Sequence, residues 1–203
     1  MNTPIHINIA CEDELSEAVL RKILNETGRP YSVNNIFRKS GFGYLKKNVR
    51  SFNHASQVTP YLMLTDLDTD ECAPEKIRTW LNIPPHPNFI FRIAVKEVEA
   101  WLLADAAGIA AFFEITAKKI PGNVEGIPDP KRELISLARK SRKRVILDDI
   151  VPDTRTAAKQ GRNYNGRMKK FVYSHWNIPA AMTRSESLRK TVLKLREFTP
   201  RFM

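Results

Sequence analysis

The chain has 203 residues, enough for one domain with a sizeable hydrophobic core. It contains no apolar run of about 18 residues, and residues 1–9 lack the basic and apolar regions of a signal peptide. We therefore expect a cytoplasmic protein that does not enter a membrane. Cys11 and Cys72 form neither a CxxC motif nor a Cys/His cluster, which argues against a disulfide framework and a structural zinc site.

The formal net charge of +11 is concentrated in the last third of the chain. Residues 131–203 contain 19 Lys and Arg against 6 Asp and Glu, a net charge of +13, whereas residues 1–130 have a net charge of −2. An imbalance of this size is typical of a protein that binds a polyanion. We predict a nucleic-acid partner, DNA or RNA, with an anionic membrane surface as the weaker alternative.

In chain order, the hydrophobic pattern alternates between strands and helices. Strands are predicted where apolar residues alternate or run together, and helices where they recur at helical spacing. The predicted strands are at 5–11, 31–37, 61–66 and 88–95, and the predicted helices at 14–26, 44–55, 74–81 and 96–105. This alternation favours an α/β fold with a mostly parallel, Rossmann-like sheet flanked by helices.

A loop rich in proline and glycine, residues 120–130, marks a change in composition and a predicted boundary. Residues 1–120 are predicted to form the α/β catalytic core. Residues 131–203 are predicted to form a basic, mainly helical C-terminal extension that packs on this core, with helices at 131–142, 164–176 and 185–198.

The most distinctive motif lies where the strand at 61–66 ends. Apolar residues lead into Asp66 and Asp68, which point to the same side if the chain stays extended. Neighbouring carboxylates repel one another and resist burial unless a cation is present. One or two carboxylates suit Mg²⁺, so the motif predicts a magnesium or manganese site for phosphate chemistry. Asp70 and Glu71 are typical of the first turn of the next helix.

Further acidic residues follow two other predicted strands. Glu12 comes directly after the first strand, and Glu97 and Glu99 come after the fourth. Because parallel strands end at one edge of a sheet, we expect these side chains to lie near Asp66. Structural alternatives stay open: Glu12 can cap the next helix, Glu97 can act as a first-turn charge, and Asp105 either bonds to a helix end or supports the site.

Two segments resemble motifs of a known family. They are IACEDELSEAVL at 9–20 and EAWLLAD at 99–105, and they resemble motifs of small bacterial proteins with a TOPRIM domain. In that family, which includes topoisomerases, primases and overcoming-lysogenization-type nucleases, a glutamate follows the first strand and a DxD motif comes later. The resemblance covers roughly residues 5–105. Asp13 stands where the family usually has glycine, and Ser16 where a second acidic residue is common.

The resemblance implies a TOPRIM-type nuclease that cleaves phosphodiester bonds with Mg²⁺ or Mn²⁺. Glu12 would act as a general base or metal ligand, and Asp66 and Asp68 would hold the metal. Glu99 resembles the additional acidic residue of the nuclease branch and would be a further catalytic and metal-binding residue. The cation would polarise a phosphoryl oxygen while an activated water attacks in line.

The resemblance also implies a catalytic lysine and protein partners. Lys96 and Lys131 are the two candidates for a lysine close to the scissile phosphate. Small proteins of this type are often encoded beside an ATPase in phage defence, which suggests an ATPase of the AAA or ABC type as a partner. Such nucleases can also act as homodimers.

Nucleic-acid contacts are predicted in the basic extension. The stretch 155–166 combines basic residues with glycine-containing turns that can wrap a phosphate backbone without reading its sequence. The aromatic residues of the helix at 164–176 are predicted to be core. The residues predicted to contact nucleic acid are Lys131, Arg155, Lys159, Arg162, Arg167 and Lys170.

Two other functions stay open. One is a non-catalytic nucleic-acid-binding subunit of a complex that contains an ATPase. The other, less favoured, is a DxD phosphatase of the haloacid-dehalogenase type, whose motif normally follows the first strand and has a small hydroxyl residue where this chain has Asp70. The sequence contains neither a P-loop nor a GxGxxG motif, which argues against ATP or dinucleotide binding by this chain.

Overall fold

The computed structural model describes residues 3–38 and 42–201. Residues 1–2, 39–41 and 202–203, which belong to the predicted core and C-terminal extension, lie outside the described residues. The strands are β1 (Ile5–Ala10), β2 (Tyr31–Phe37), β3 (Tyr61–Asp66) and β4 (Phe89–Ala94). The helices are α1 (Glu14–Glu26), α2 (Phe42–Ala55), α3 (Ala73–Leu81), α4 (Val98–Ala104), α5 (Ala106–Phe113), α6 (Pro130–Ala138), α7 (Arg144–Ile150), α8 (Tyr164–Ser174), α9 (Ile178–Met182) and α10 (Glu186–Glu197).

The strands form one parallel sheet in the order β2-β1-β3-β4. Asn8 of β1 pairs with Tyr61 of β3, and Leu62 of β3 pairs with Ile90 of β4. Because the strands all run in the same direction, their carboxyl ends lie at one edge of the sheet. The predicted α/β class, a parallel sheet flanked by helices, is therefore confirmed.

Helices cover both faces of the sheet. Leu62 and Leu64 of β3 belong to a large apolar cluster that includes α1, α4 and the helices after α5. Tyr61 and Met63 point the other way, into a second cluster with α2 and α3. Burial on both faces explains why β3 is apolar along nearly its whole length.

The helices after the 120–130 loop share the larger apolar cluster. α8 packs against α1, and α10 packs against the edge strand β4. Trp101 of α4 donates a hydrogen bond to Ser187 Oγ at 2.7 Å, and Trp176 donates to the backbone oxygen of Trp101 at 3.2 Å. The basic segment is therefore held against the sheet by buried aromatic residues. Within the described ranges, no helix combines the length and apolar character needed to cross a membrane.

The start of α1 fixes the position of the first acidic residues. The side chain of Asp13 accepts a hydrogen bond from the backbone N–H of Ser16 at 2.8 Å, and Glu14 and Glu17 lie in the first turn. Both features stabilise the amino end of a helix. Asp13, not Glu12, is the cap, so the capping alternative for Glu12 is wrong.

Candidate active site

Asp66 ends β3, and four other acidic side chains lie near it. Its Oδ1 accepts a hydrogen bond from the backbone N–H of Val98 at 2.9 Å. Burial raises the pKa of Asp66 well above its usual range, and four neighbouring carboxylates raise it further. We call this group the carboxylate cluster, and its members are Glu12, Asp66, Asp68, Glu97 and Glu99.

Glu12 follows β1 and is held against the end of β3. Its Oε1 accepts hydrogen bonds from the Thr65 hydroxyl and from the backbone N–H of Asp66, the latter at 3.1 Å. Burial raises the pKa of Glu12, and the two hydrogen bonds oppose this rise. The structure thus brings together Glu12 and Asp66, whose meeting depends on two parallel strands ending side by side.

Asp68 occupies a turn rather than a continued strand. It is exposed and has a φ of 54°, a left-handed conformation that aspartate tolerates better than most residues. The backbone N–H of Leu67 donates to the carbonyl oxygens of Ala94 and Lys96, both at 2.8 Å, which draws the chain towards the end of β4. The expectation that Asp66 and Asp68 share one face of an extended segment is therefore wrong.

A buried lysine, absent from the predicted site residues, holds this turn. Lys76 of α3 is only 4% exposed. Its ammonium group donates to the backbone oxygens of Asp66 at 2.6 Å and Leu67 at 3.3 Å. It also forms ion pairs with Asp70 at 2.9 Å and with Asp68 at 3.6 Å. Lys76 therefore places a fixed positive charge next to the carboxylate cluster.

The sequence does contain a signal for Lys76. It lies four residues before Trp80, and its ammonium group is 4.9 Å from the centre of the Trp80 ring. Trp80 belongs to the apolar face of α3 that packs against the sheet. The ammonium group of a lysine on such a face needs carboxylate or carbonyl partners. The acidic turn before α3 is the part of the sequence nearest to Lys76 that can provide them.

Replacing Lys76 with methionine is expected to destabilise the protein by roughly 2–4 kcal/mol, because two backbone oxygens and Asp70 lose a buried charged donor. Methionine keeps most of the aliphatic part of the side chain, which packs on Trp80. The loss of stability therefore measures the contribution of the ammonium group. Urea unfolding without added metal measures it. Asp70→Asn is the matched control, since the Asp70 carboxylate is exposed and its pairing is expected to contribute less than about 1 kcal/mol. Equally small losses in both variants would show that Lys76 does not hold the turn.

Glu99 connects the carboxylate cluster to the C-terminal helices. Its Oε1 is buried and accepts a hydrogen bond from the Tyr164 hydroxyl at 3.0 Å. The Lys131 ammonium group lies 4.0 Å from the same oxygen and 4.7 Å from the centre of the Tyr164 ring. Burial raises the pKa of Glu99 to about 7, with Lys131 opposing the rise and Glu97 adding to it. Tyr164, for which the sequence gives no signal, therefore orients Glu99.

The two candidate lysines have different surroundings. The backbone oxygen of Lys96 accepts hydrogen bonds from Leu67 and Asp68, but its side chain makes no hydrogen bond or ion pair with the residues that the structure describes. The backbone N–H of Lys131 donates to Glu97 Oε2 at 2.9 Å, while its ammonium group faces Glu99. Of the two, Lys131 is the one whose charge reaches the carboxylate cluster.

Asp105 is a structural residue outside the cluster. It is buried and accepts hydrogen bonds from the backbone N–H groups of Gly108 at 2.9 Å and Asn177 at 2.7 Å. A Cβ at position 108 would lie 2.1 Å from Asp105 Oδ2, so glycine is needed there. Asp105 therefore caps α5 and joins it to α9, which confirms the helix-end alternative.

Two clefts lie in the basic segment, and the inner one reaches the carboxylate cluster at Glu97. The inner cleft has a volume of about 700 Å³, and its lining includes Glu97 and Lys131. The outer cleft has a volume of about 900 Å³ and lies between α7 and residues 151–162. Arg139 and Pro152 line both clefts, so the two clefts are adjacent. We call the pair of clefts the basic groove.

The basic groove gathers most of the residues predicted to contact nucleic acid, namely Lys131 and Lys159 in the inner cleft and Arg155 and Arg162 in the outer one. Arg167 instead binds Asp149 through two charged hydrogen bonds, one of them at 2.8 Å, and is a structural residue. Lys170 is exposed on α8 and lines neither cleft. Arg132 and Arg139 line the groove and are missing from the predicted contacts.

The chemistry of the cluster suits a hard cation. One oxygen of Glu12 and one of Asp66 receive hydrogen bonds, and the second oxygen of each receives none from the described part of the chain. In that part, no three Asp, Glu, His or Cys side chains form a ready-made metal-binding group. Mg²⁺ needs only one or two carboxylates beside water and substrate oxygens, so the donor set fits Mg²⁺ or Mn²⁺.

Fold and site together define a parallel α/β protein with a carboxylate cluster at the carboxyl edge of its sheet. The chain belongs to the family described as domain of unknown function DUF4276, whose model matches residues 10–188. The matched range contains the carboxylate cluster and the residues that line the basic groove. Comparisons with curated proteins and with solved structures found no match.

Proposed function

We propose that this protein is a metal-dependent nuclease that cleaves phosphodiester bonds, with a TOPRIM-like active site. The observation that carries the proposal is the position of Asp66, whose carboxyl group lies among four others at the end of a parallel strand. Such a group of carboxylates is unfavourable without a cation, and open α/β sheets bind ligands at this edge. The basic groove that begins at the cluster supports a polyanionic substrate.

Glu12 and Asp66 would hold Mg²⁺ or Mn²⁺ through their free oxygens, with Asp68 and Glu99 as the nearby carboxylates that support the site, and the cation would polarise a phosphoryl oxygen and stabilise the leaving oxygen. The free oxygen of Glu12 can accept a proton from an attacking water. Burial raises the pKa of Glu12, which makes its carboxylate a stronger proton acceptor. Thr65 and the backbone of Asp66 keep the Glu12 side chain in one orientation for that step.

Lys131, rather than Lys96, is the proposed phosphate-binding lysine. Its ammonium group lies at the junction of Glu99 and the inner cleft, where a phosphodiester entering from the groove would meet the cluster. Tyr164 keeps Glu99 oriented through the hydrogen bond at 3.0 Å. An ATPase partner, a homodimer, a role in phage defence and a cytoplasmic location remain predictions from the sequence.

A second candidate is a nucleic-acid-binding subunit with an inert acidic site. It is favoured by Lys76, which already pairs with Asp68 and Asp70 and so offsets part of the acidic charge without a metal. In this case the basic groove would be the functional surface. The phosphatase alternative gains no support from a specific contact.

Incubation of the purified protein with plasmid DNA, single-stranded DNA and tRNA, each with Mg²⁺, Mn²⁺ or EDTA, tests the proposal. Cleavage is expected in the metal-containing reactions and not with EDTA, because the carboxylates cannot act without a cation. A parallel reaction with p-nitrophenyl phosphate detects a phosphatase. Absence of cleavage together with salt-sensitive binding would favour the binding subunit over the nuclease.

A further inference from the structure

Seven Lys and Arg side chains and five Asp and Glu side chains line the basic groove, and four of the cations have no internal partner in the described part of the chain. Within the described residues, the side chains of Arg132, Arg139, Lys159 and Arg162 line the groove without an ion pair or hydrogen bond. Hydrogen bonds from Arg155 lower the pKa of Asp153, and the charge of Arg162 adds to this without a bond between the two side chains. Cations without an internal partner are available for an external anion.

Two other arginines of the groove have weak internal partners. Arg144 pairs with Asp148 and Arg155 pairs with Asp153, each within one exposed segment. Exposed pairs of this kind contribute little and are readily exchanged for a stronger anion. The groove therefore offers about four unpaired cations for phosphate contacts, and the two paired arginines can add to them.

Aromatic side chains are missing from the lining of both clefts in the part of the chain that the structure describes. The ring of Tyr164 is buried beneath Lys131 and does not face the groove. Proteins that bind single strands gain much of their affinity by stacking bases on aromatic rings. A groove without rings gains affinity from phosphates alone, and each phosphate contact releases more counterions from a duplex than from a single strand.

We infer that the basic groove binds one phosphate backbone of a double-helical nucleic acid and leads it to the carboxylate cluster. This inference rests on the proposed function and names its substrate class. The outer cleft holds the strand at Arg162, the junction holds it at Arg139, and the inner cleft delivers it to Lys131. Recognition is of the backbone, so it is independent of base sequence.

Fluorescence anisotropy in EDTA, with a labelled duplex and the single strand of the same sequence, tests the inference without cleavage. At about 0.1 M salt the duplex is expected to bind roughly fivefold more tightly, and the logarithm of its association constant is expected to fall with a slope of about −4 against the logarithm of salt concentration. Equal or tighter binding of the single strand would overturn the inference.

A matched pair of double variants locates the binding surface. Arg139→Gln with Arg162→Gln removes two charges from the groove and is expected to weaken duplex binding about tenfold or more and reduce the salt slope by about 2. Lys194→Gln with Arg196→Gln removes the same charge from α10, where these residues are exposed and line neither cleft. Equal losses in the two double variants would overturn the groove as the binding surface.

The outcomes separate this inference from the proposed function. Groove-dependent duplex binding without metal-dependent cleavage would overturn the nuclease and keep the groove. Cleavage that survives in the groove double variant with an unchanged KM would keep the nuclease and overturn the groove. Circular dichroism and urea unfolding of both double variants show whether they are folded, so that a loss of binding is assigned to charge.

Discussion

Replacing Asp66 with asparagine is expected to abolish metal-dependent cleavage, with a fall in kcat of at least about 100-fold. Asparagine keeps the oxygen that accepts the Val98 N–H hydrogen bond at 2.9 Å, so the start of α4 is preserved. It removes the charge that a cation needs. Because Asp66 is surrounded by carboxylates, the loss of its charge also relieves repulsion, and nucleic-acid binding should be kept or tightened.

Single-turnover cleavage and binding in EDTA measure the two effects separately. The control variant is Glu71→Gln, which removes one exposed charge close to the same turn. It is expected to leave kcat unchanged, since Glu71 is not a member of the carboxylate cluster. If the Asp66→Asn protein cleaves as fast as the wild type, Asp66 has no part in the chemistry and the nuclease proposal loses its main support.

The sheet could be predicted from the sequence because its elements have strong local patterns. The predicted ranges 14–26 and 31–37 coincide with α1 and β2, since α1 has apolar residues at helical spacing and a capping aspartate before it. The helix predicted at 96–105 begins later, at Val98, because Glu97 is the capping residue in extended conformation. The pattern locates these elements and misjudges their ends by one or two residues, whereas the helix predicted at 131–142 ends four residues earlier, at Ala138.

Three helices were missed for a physical reason. α5 is apolar on nearly every side and buried, so it has no amphipathic periodicity to detect. α7 and α9 are short, and they are stable only through packing against other helices. The helical conformation of these segments depends on packing in the folded core, and their own sequence pattern does not predict it.

The same distinction explains which site residues could be predicted. Glu12, Asp66 and Glu99 follow strands, and the parallel order of the sheet is enough to bring strand ends together. Tyr164 comes from a helix, and its contact with Glu99 depends on how α8 docks, which no local pattern specifies. Lys76 has a local signal in its place on the apolar face of α3, but its backbone partners depend on how that helix docks. Four of the basic residues that line the groove were predicted because charge is visible in the sequence, whereas the presence of a cleft is not.

The metal-free protein is expected to lose stability as the pH rises from about 5 to about 8. Glu12, Asp66, Glu97 and Glu99 all have a pKa above the usual range, first because of burial. In this window the folded state therefore binds more protons than the unfolded state, and the free energy of unfolding falls as the protons are lost. For Glu99, whose pKa rises from 4.5 to about 7, the effect is on the order of 3 kcal/mol.

Urea unfolding in EDTA at about pH 5 and about pH 8 measures this loss, and Glu99→Gln is expected to remove a large part of it while keeping an acceptor for the Tyr164 hydroxyl. Mg²⁺ or Mn²⁺ should restore stability mainly at the higher pH, because the cation binds the folded, deprotonated cluster and competes with protons. If the free energy of unfolding were the same at both pH values, burial would not raise the pKa of these carboxylates. A pH-dependent loss that neither metal reverses would instead assign the cluster to an inert site and favour the binding subunit.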